Sequence, residues 1–145
     1  MRRMVLAGVL IVIGIAAAYF YLRTTTWYPV ARVATPEGYT LTVVMAPVAN
    51  RKRCEIVNRA FIDPVIKGCP ACRLELERCD GSLSGAEKAL VSNDALSDYS
   101  VNAAGIRMLV TGPAGIAKGA CEQIATDMVR AGAQTAACAY PGAKR

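Results

Sequence analysis

The chain has 145 residues, a length typical of one domain, with 17 Lys and Arg against 11 Asp and Glu and no His. The absence of His excludes Ser-His-Asp and Cys-His catalysis and also His-based metal sites. Three arginines flank an apolar N-terminal segment, and the remaining excess of 14 basic over 11 acidic residues is too small to indicate a nucleic-acid partner.

The N-terminal segment is an uncharged apolar stretch of 19 residues at 4–22. As a helix it would rise about 28 Å, close to the hydrocarbon thickness of a bilayer. Trp27 and Tyr28 follow it, where interfacial aromatic residues belong. The sequence therefore predicts a single-pass anchor in the inner (cytoplasmic) membrane of a bacterium, with residues 1–3 in the cytoplasm and the rest of the chain in the periplasm. The alternative is a signal peptide cleaved after Ala18, which would also export the domain.

The exported part divides into three predicted regions. Two prolines and a glycine within residues 23–38 indicate an extended tether. Residues 39–141 carry periodic apolar patterns and are expected to form the folded domain. Residues 142–145 are expected to be a flexible tail.

Within the domain, strand and helix patterns alternate. Asn50 is a candidate N-cap, and the helix after it should stop or kink near Ile62 because Pro64 interrupts its pattern. Ser84 and Glu87 have the spacing of a capping box. The predicted elements are a strand at 40–45, a helix from 51, a strand at 72–79, a short helix after 84, strands at 98–102 and 106–111, a helix from 116 and a strand at 134–140.

This order of elements predicts an α/β or α+β sandwich. Two strand–helix–strand units would pack their helices on a sheet of four or five strands, after one N-terminal transmembrane helix. If the connection at 80–105 is a crossover, the sheet is mostly parallel and Rossmann-like. If that connection ends in a hairpin, the sheet is antiparallel and ferredoxin-like.

All six cysteines follow the apolar segment, and an even number of cysteines in an exported domain indicates disulfides. Cys121 lies about 15 Å from the end of its predicted helix, and Cys138 lies about 13 Å back along the next strand, so the two should be level. The same comparison of helix and strand lengths places Cys54 beside Cys79. Cys69 and Cys72 are then left to pair with each other. The expected bridges are Cys54–Cys79, Cys69–Cys72 and Cys121–Cys138.

The CxxC motif at Cys69 and Cys72 has a spacing that resembles that of thioredoxin-like oxidoreductases. In those proteins the first cysteine sits at a helix N-terminus, which favours the thiolate. Here the pair follows a predicted helix and precedes a strand, so we expect poor reactivity. A zinc site formed by this pair with Cys54 and Cys79 is a further alternative.

Two predicted strand-to-helix turns are candidates for anion binding, because free N–H groups at a helix start attract anions. The first turn carries Asn50 and Arg51, and the second carries Gly112, Gly115 and Lys118. The second turn lacks the Gly-Lys-Ser/Thr ending of a phosphate-binding loop. The basic run that begins at Arg51 is otherwise typical of a solvated helix start.

These features favour a non-catalytic accessory domain of the cell envelope, held on the membrane and binding an envelope protein or polymer. The sequence indicates no cofactor, no metal and no nucleic-acid partner. One alternative is a membrane-tethered thiol–disulfide protein that uses Cys69 and Cys72. The other is a small-ligand or anion-binding domain that uses the two turns.

Overall fold

A computed structural model of the chain describes residues 26–103 and 105–143. The predicted anchor at 4–22 lies outside these residues, and none of the helices within them is both long and apolar enough to span a bilayer. The described residues form six strands and three helices, in the order β1 (Tyr28–Ala34), β2 (Thr40–Met45), α1 (Arg51–Gly68), β3 (Arg73–Asp80), α2 (Gly85–Ser92), β4 (Tyr99–Ala103), β5 (Ile106–Thr111), α3 (Ala114–Arg130) and β6 (Ala137–Ala139).

The six strands form one sheet in the order β3-β1-β2-β5-β4-β6, and every neighbouring pair is antiparallel. The fold is therefore α+β, and the parallel Rossmann-like alternative is wrong. The two helical crossovers run from β2 to β3 and from β5 to β6. Each crossover joins two strands of the same direction, but an oppositely directed strand lies between them, which makes the neighbours antiparallel.

The strand order divides the sheet into two halves of equal connectivity. The first half is β1-β2-α1-β3 and the second half is β4-β5-α3-β6. In each half the first strand lies in the middle, and β2 joins β5 across the centre of the sheet. Each half contains the predicted strand–helix–strand unit with one additional strand before it. In the second half this strand is β4, which was predicted at 98–102, and in the first half it is β1, the sixth strand of a sheet expected to have four or five.

The predicted tether at 23–38 contains β1, which lies between β2 and β3, so the tether assignment is wrong for this part of the chain. Pro29 is tolerated because it is only the second residue of the strand, and pairing with β2 begins one residue later, at Val30. Val30 and Val33 are buried and supply the β-branched surface of a central strand. The folded domain thus begins before residue 39.

The helices lie on both faces of the sheet. Neighbouring residues of β2 point to opposite faces, and Val43 packs with α3 residues such as Cys121, whereas Val44 packs with Leu90 of α2. Val57 of α1 packs in the same cluster as Val43. Helices α1 and α3 therefore cover one face, and the short α2 covers part of the other, which gives three layers.

Helix α1 begins as predicted but ends later. The side chain of Asn50 accepts a hydrogen bond from the Arg53 N–H at 2.8 Å. The helix continues through Pro64 to Gly68, so the expected stop near Ile62 is wrong. Pro64 and Ala60, whose carbonyl loses its helical partner, are both exposed, and water can solvate that carbonyl.

The packing also corrects the capping box predicted at the start of α2 and determines which side chains of β3 and α3 are exposed. Ser84 is the N-cap of α2 but makes no side-chain capping bond, and the Glu87 carboxylate pairs with Arg78. Leu74 is 40% exposed, since β3 is an edge strand that the helices cover incompletely. The buried residues of α3 are Ala117, Cys121 and Ala125.

The C-terminal tail is fixed at its start. Gly142 donates a backbone hydrogen bond to the Leu96 carbonyl at 2.8 Å, and Ala143 donates one to Tyr140 at 3.1 Å. The flexible tail at 142–145 stays a prediction, and residues 144–145 lie outside the described residues.

Candidate functional site

The six cysteines lie at disulfide distance in three pairs, with the pairing expected from the sequence. Two of the bridges join a helix to the last strand of its half of the sheet. The pairs and their Cα–Cα distances are Cys54–Cys79 at 6.0 Å, Cys121–Cys138 at 5.4 Å and Cys69–Cys72 at 5.3 Å. The four thiols considered for a zinc site are thus divided between two bridges and do not form one cluster.

The Cys69–Cys72 bridge closes the turn between α1 and β3. Cys69 is the C-cap of α1, and its N–H donates to the Val65 carbonyl at 2.9 Å. Pro70 and Ala71 between the cysteines are exposed. The negative end of the helix dipole therefore points at the first sulfur, and this disfavours the thiolate that redox chemistry requires.

The residues predicted to bind an anion are not brought together. Asn50 and Arg51 follow β2, and Gly112 and Gly115 follow β5. Because β2 and β5 are antiparallel, with Thr40 opposite Thr111, the two turns lie at opposite ends of the sheet. The two turns therefore cannot form one site.

The residues of the two turns have local structural roles. The Asn50 side chain caps α1, and Pro113 is the N-cap of α3. A Cβ on Gly112 would lie 3.1 Å from the Gly38 carbonyl oxygen, so this glycine is needed for close packing. The ammonium of Lys118 lies 5.7 Å from the centroid of the Tyr140 ring.

A groove of about 500 Å³ runs between α3 and β6. Val129, on its helix side, is 49% exposed although it is a large apolar residue. Sequence patterns could not predict the groove, because its strand is only three residues long. Most of its lining is formed by six small or apolar residues: Ala125, Thr126, Val129, Ala136, Ala137 and Cys138.

An aromatic cluster closes one end of this groove. The Tyr140 hydroxyl donates a hydrogen bond to Glu122 Oε1 at 2.6 Å, and the Tyr99 ring packs edge-on with centroids 5.7 Å apart. The hydrogen bond to Glu122 raises the pKa of Tyr140, so the hydroxyl remains a donor at neutral pH. Arg130 lines the groove at the C-terminal end of α3.

The two edges of the sheet differ in charge. On β3 the exposed side chains include Arg73, Glu75 and Glu77, and charges on an edge strand oppose pairing with another chain. On β6 the residues are Ala137, Cys138 and Ala139, with no charge, and within residues 26–103 and 105–143 β6 pairs with β4 alone. In this part of the chain, the outer backbone side of β6 next to the groove has no strand partner.

Comparison of the chain with protein-family models, with curated proteins and with solved structures finds no match.

Proposed function

We propose that the chain is a membrane-anchored, periplasmic binding domain of a bacterial cell envelope, without catalytic activity. The observation that carries this proposal is the complete pairing of the six cysteines, since three disulfides require an oxidising compartment. The 19 uncharged residues at 4–22 supply the means of export and of attachment.

The α3–β6 groove is the binding surface that the geometry favours. An extended segment of an envelope protein would add to β6 as a further strand, and its alternate side chains would enter the groove. The uncharged β6 edge permits this pairing, whereas the charged β3 edge opposes it. Val129 and the small residues around it supply apolar surface for the partner.

A photo-cross-linking amino acid at Val129 of the full chain tests this surface in living cells. We expect a protease-sensitive adduct that is absent when the same amino acid replaces Ile56, which is 60% exposed on α1. A protease-resistant adduct would show that the partner is an envelope polymer. Equal cross-linking at both positions would contradict a specific site in the groove.

A pair of reporters fused after Arg145 tests export. We expect an active alkaline phosphatase fusion and a non-fluorescent green fluorescent protein fusion, and the opposite pair once residues 4–22 are deleted. Intact mass then tests attachment, because a mature chain beginning at Tyr19 would mean that the segment is a cleaved signal peptide. A cytoplasmic reporter pattern for the full chain would refute export itself.

Thiol–disulfide exchange by Cys69 and Cys72 is the second candidate function. It is favoured by the exposure of Pro70 and Ala71, which makes the bridge accessible. Insulin reduction by the full chain in detergent, with dithiothreitol as the electron source and Cys69→Ser as the control, decides between the two candidates. Turnover that the substitution abolishes would replace the binding proposal with the redox one.

A further inference from the structure

Three consecutive basic residues occupy the first turn of α1. Arg51, Lys52 and Arg53 are exposed, and the first turn holds no acidic residue. Cations are unfavourable there, because the N-terminal end of a helix carries a partial positive charge. Three basic residues at this position therefore destabilise the helix.

Local ion pairs offset only part of this charge. Arg51 Nε lies 3.1 Å from Glu55 Oε1, and both side chains are mostly exposed, so the pair contributes little. Among the described residues, no carboxylate lies within ion-pair distance of Lys52 or Arg53. The stability of the fold therefore does not explain these three charges, which we call the basic cluster, formed by residues 51–53.

The basic cluster lies at the point where the chain enters the domain. Trp27 and Val48 exchange two backbone hydrogen bonds of 2.8 Å, which fix the start of the domain beside the loop that leads to α1. The Arg51 guanidinium lies 6.0 Å from the centroid of the Trp27 ring. Trp27 thus lies beside Arg51, the first residue of the basic cluster.

The length of chain before Trp27 limits how far this surface can be from the membrane. Four residues separate Trp27 from Leu22, the last residue of the apolar segment, so the two Cα atoms are five residue steps apart. A fully extended chain of that length spans at most about 17 Å. A domain anchored by residues 4–22 must therefore hold Trp27 close to the bilayer surface, because β1 leaves no long tether.

We propose that Trp27 and the basic cluster form a membrane-facing surface that binds the anionic phospholipid headgroups around the anchor. This inference rests on the proposed anchoring. Lys and Arg near a bilayer are attracted by anionic lipids, and Trp favours the headgroup region. Cys69 and Cys72 follow the other end of α1 and are not part of this surface.

Trp27 is the single tryptophan of the chain, and its fluorescence reports on this surface alone. The full chain is placed in lipid nanodiscs of phosphatidylcholine, or of equal parts phosphatidylcholine and phosphatidylglycerol, with brominated acyl chains as quenchers. We expect about twofold stronger quenching of Trp27 in the anionic discs, and a loss of this difference at about 0.5 M NaCl.

Two charge-matched double variants give the controls. Lys52→Gln with Arg53→Gln should remove the dependence on lipid charge and leaves the Arg51–Glu55 pair intact. Lys67→Gln with Arg73→Gln, at the other end of α1, removes the same charge and should retain the dependence. Far-UV circular dichroism verifies that both variants keep the fold.

Equal quenching in the two lipid compositions would overturn the inference, and so would unchanged behaviour of the first variant. The anchor is tested separately by extracting membranes that contain the full chain with alkaline carbonate. A chain that is released would refute the anchoring and the inference together. A chain that is retained, but whose Trp27 quenching ignores lipid charge, would refute this inference alone.

Discussion

Asn58 joins α1 to the sheet from a fully buried position, with 1% of its surface exposed. Its amide nitrogen donates to the Arg78 carbonyl at 2.8 Å and to the Val30 carbonyl at 3.5 Å. These two residues are cross-strand partners on β1 and β3. One side chain therefore ties the helix to two strands at the position where they pair.

Replacing Asn58 with Leu should reduce the free energy of unfolding by about 1–3 kcal/mol, because both carbonyls lose a buried donor. Urea unfolding of the detergent-solubilised chain measures the change. Asn102→Ala, on an exposed position of β4, should change it by less than about 0.5 kcal/mol. A loss for Asn58→Leu no larger than that of the control would show that the hydrogen bonds do not hold the helix.

Arg78 holds two carboxylates from different elements. Its guanidinium pairs with Asp80 at 2.5 Å and with Glu87 of α2, which is only 8% exposed. Because Arg78 lies on β3, this pair fastens α2 to the edge of the sheet. The helix is short and has no side-chain N-cap bond, so it depends on such tertiary contacts.

Arg78→Met should destabilise the chain by about 2–4 kcal/mol, since Glu87 then remains buried without a cation. Adding Glu87→Leu should recover part of that loss, because the unpaired charge is removed as well. A double-mutant cycle from urea midpoints measures the coupling. Strictly additive effects would mean that the ion pair contributes nothing to the attachment of α2.

At the residue scale, the features that could be predicted from the sequence are those that depend on local chemistry alone. The Asn50 cap needed only the residue type and its position before an apolar pattern. The Arg78–Glu87 pair could not be foreseen, since Glu87 was equally suited to a capping box with Ser84. Choosing between these partners requires knowing that β3 passes beside α2, which is a tertiary fact.

At the scale of elements, the two long disulfides each join a helix to the strand that follows it in sequence. The long bridges join α1 to β3 and α3 to β6, with sequence separations of 25 and 17 residues. The Cys69–Cys72 bridge spans only three. A bridge stabilises mainly by restricting the unfolded chain, and this restriction grows with loop length.

Replacing Cys121 and Cys138 with Ala should therefore cost about 3 kcal/mol of stability, and the same change at Cys69 and Cys72 at most about 2 kcal/mol. Thermal unfolding of the two double variants beside the parent chain measures the order. A larger fall in melting temperature for the Cys69–Cys72 variant would contradict this order.

Helices and strands were predicted well where an apolar pattern repeats along the sequence, and badly where proline interrupts that pattern. Strand β2 and helix α3 had clear apolar periods, and both were placed within a few residues. Strand β1 was missed because Pro29 and Pro36 outweighed Val30 and Val33. Pro29, Val30 and Ala31 are buried in succession, because β1 lies between β2 and β3 with helices on both faces of the sheet, and this position is a tertiary fact.

At the scale of the whole molecule, the two halves meet at β2 and β5, and α2 is the connection between them. Local patterns could predict helices on a sheet but not its strand order, because strand order depends on contacts between distant segments. The rise per residue along helices and strands was enough to predict which cysteines pair. The groove beside β6 depends on the free edge of the sheet and could not be read from any motif.

The central claim is that the chain is exported and locked by three disulfides, and counting thiols in cells tests it most directly. Cells that produce the full chain are quenched in acid, free thiols are blocked with N-ethylmaleimide, and the protein is then reduced and labelled with maleimide-polyethylene glycol. We predict six labelled cysteines for the full chain and none for a chain lacking residues 4–22. Six thiols already blocked before reduction in the full chain would contradict export and disulfide formation together.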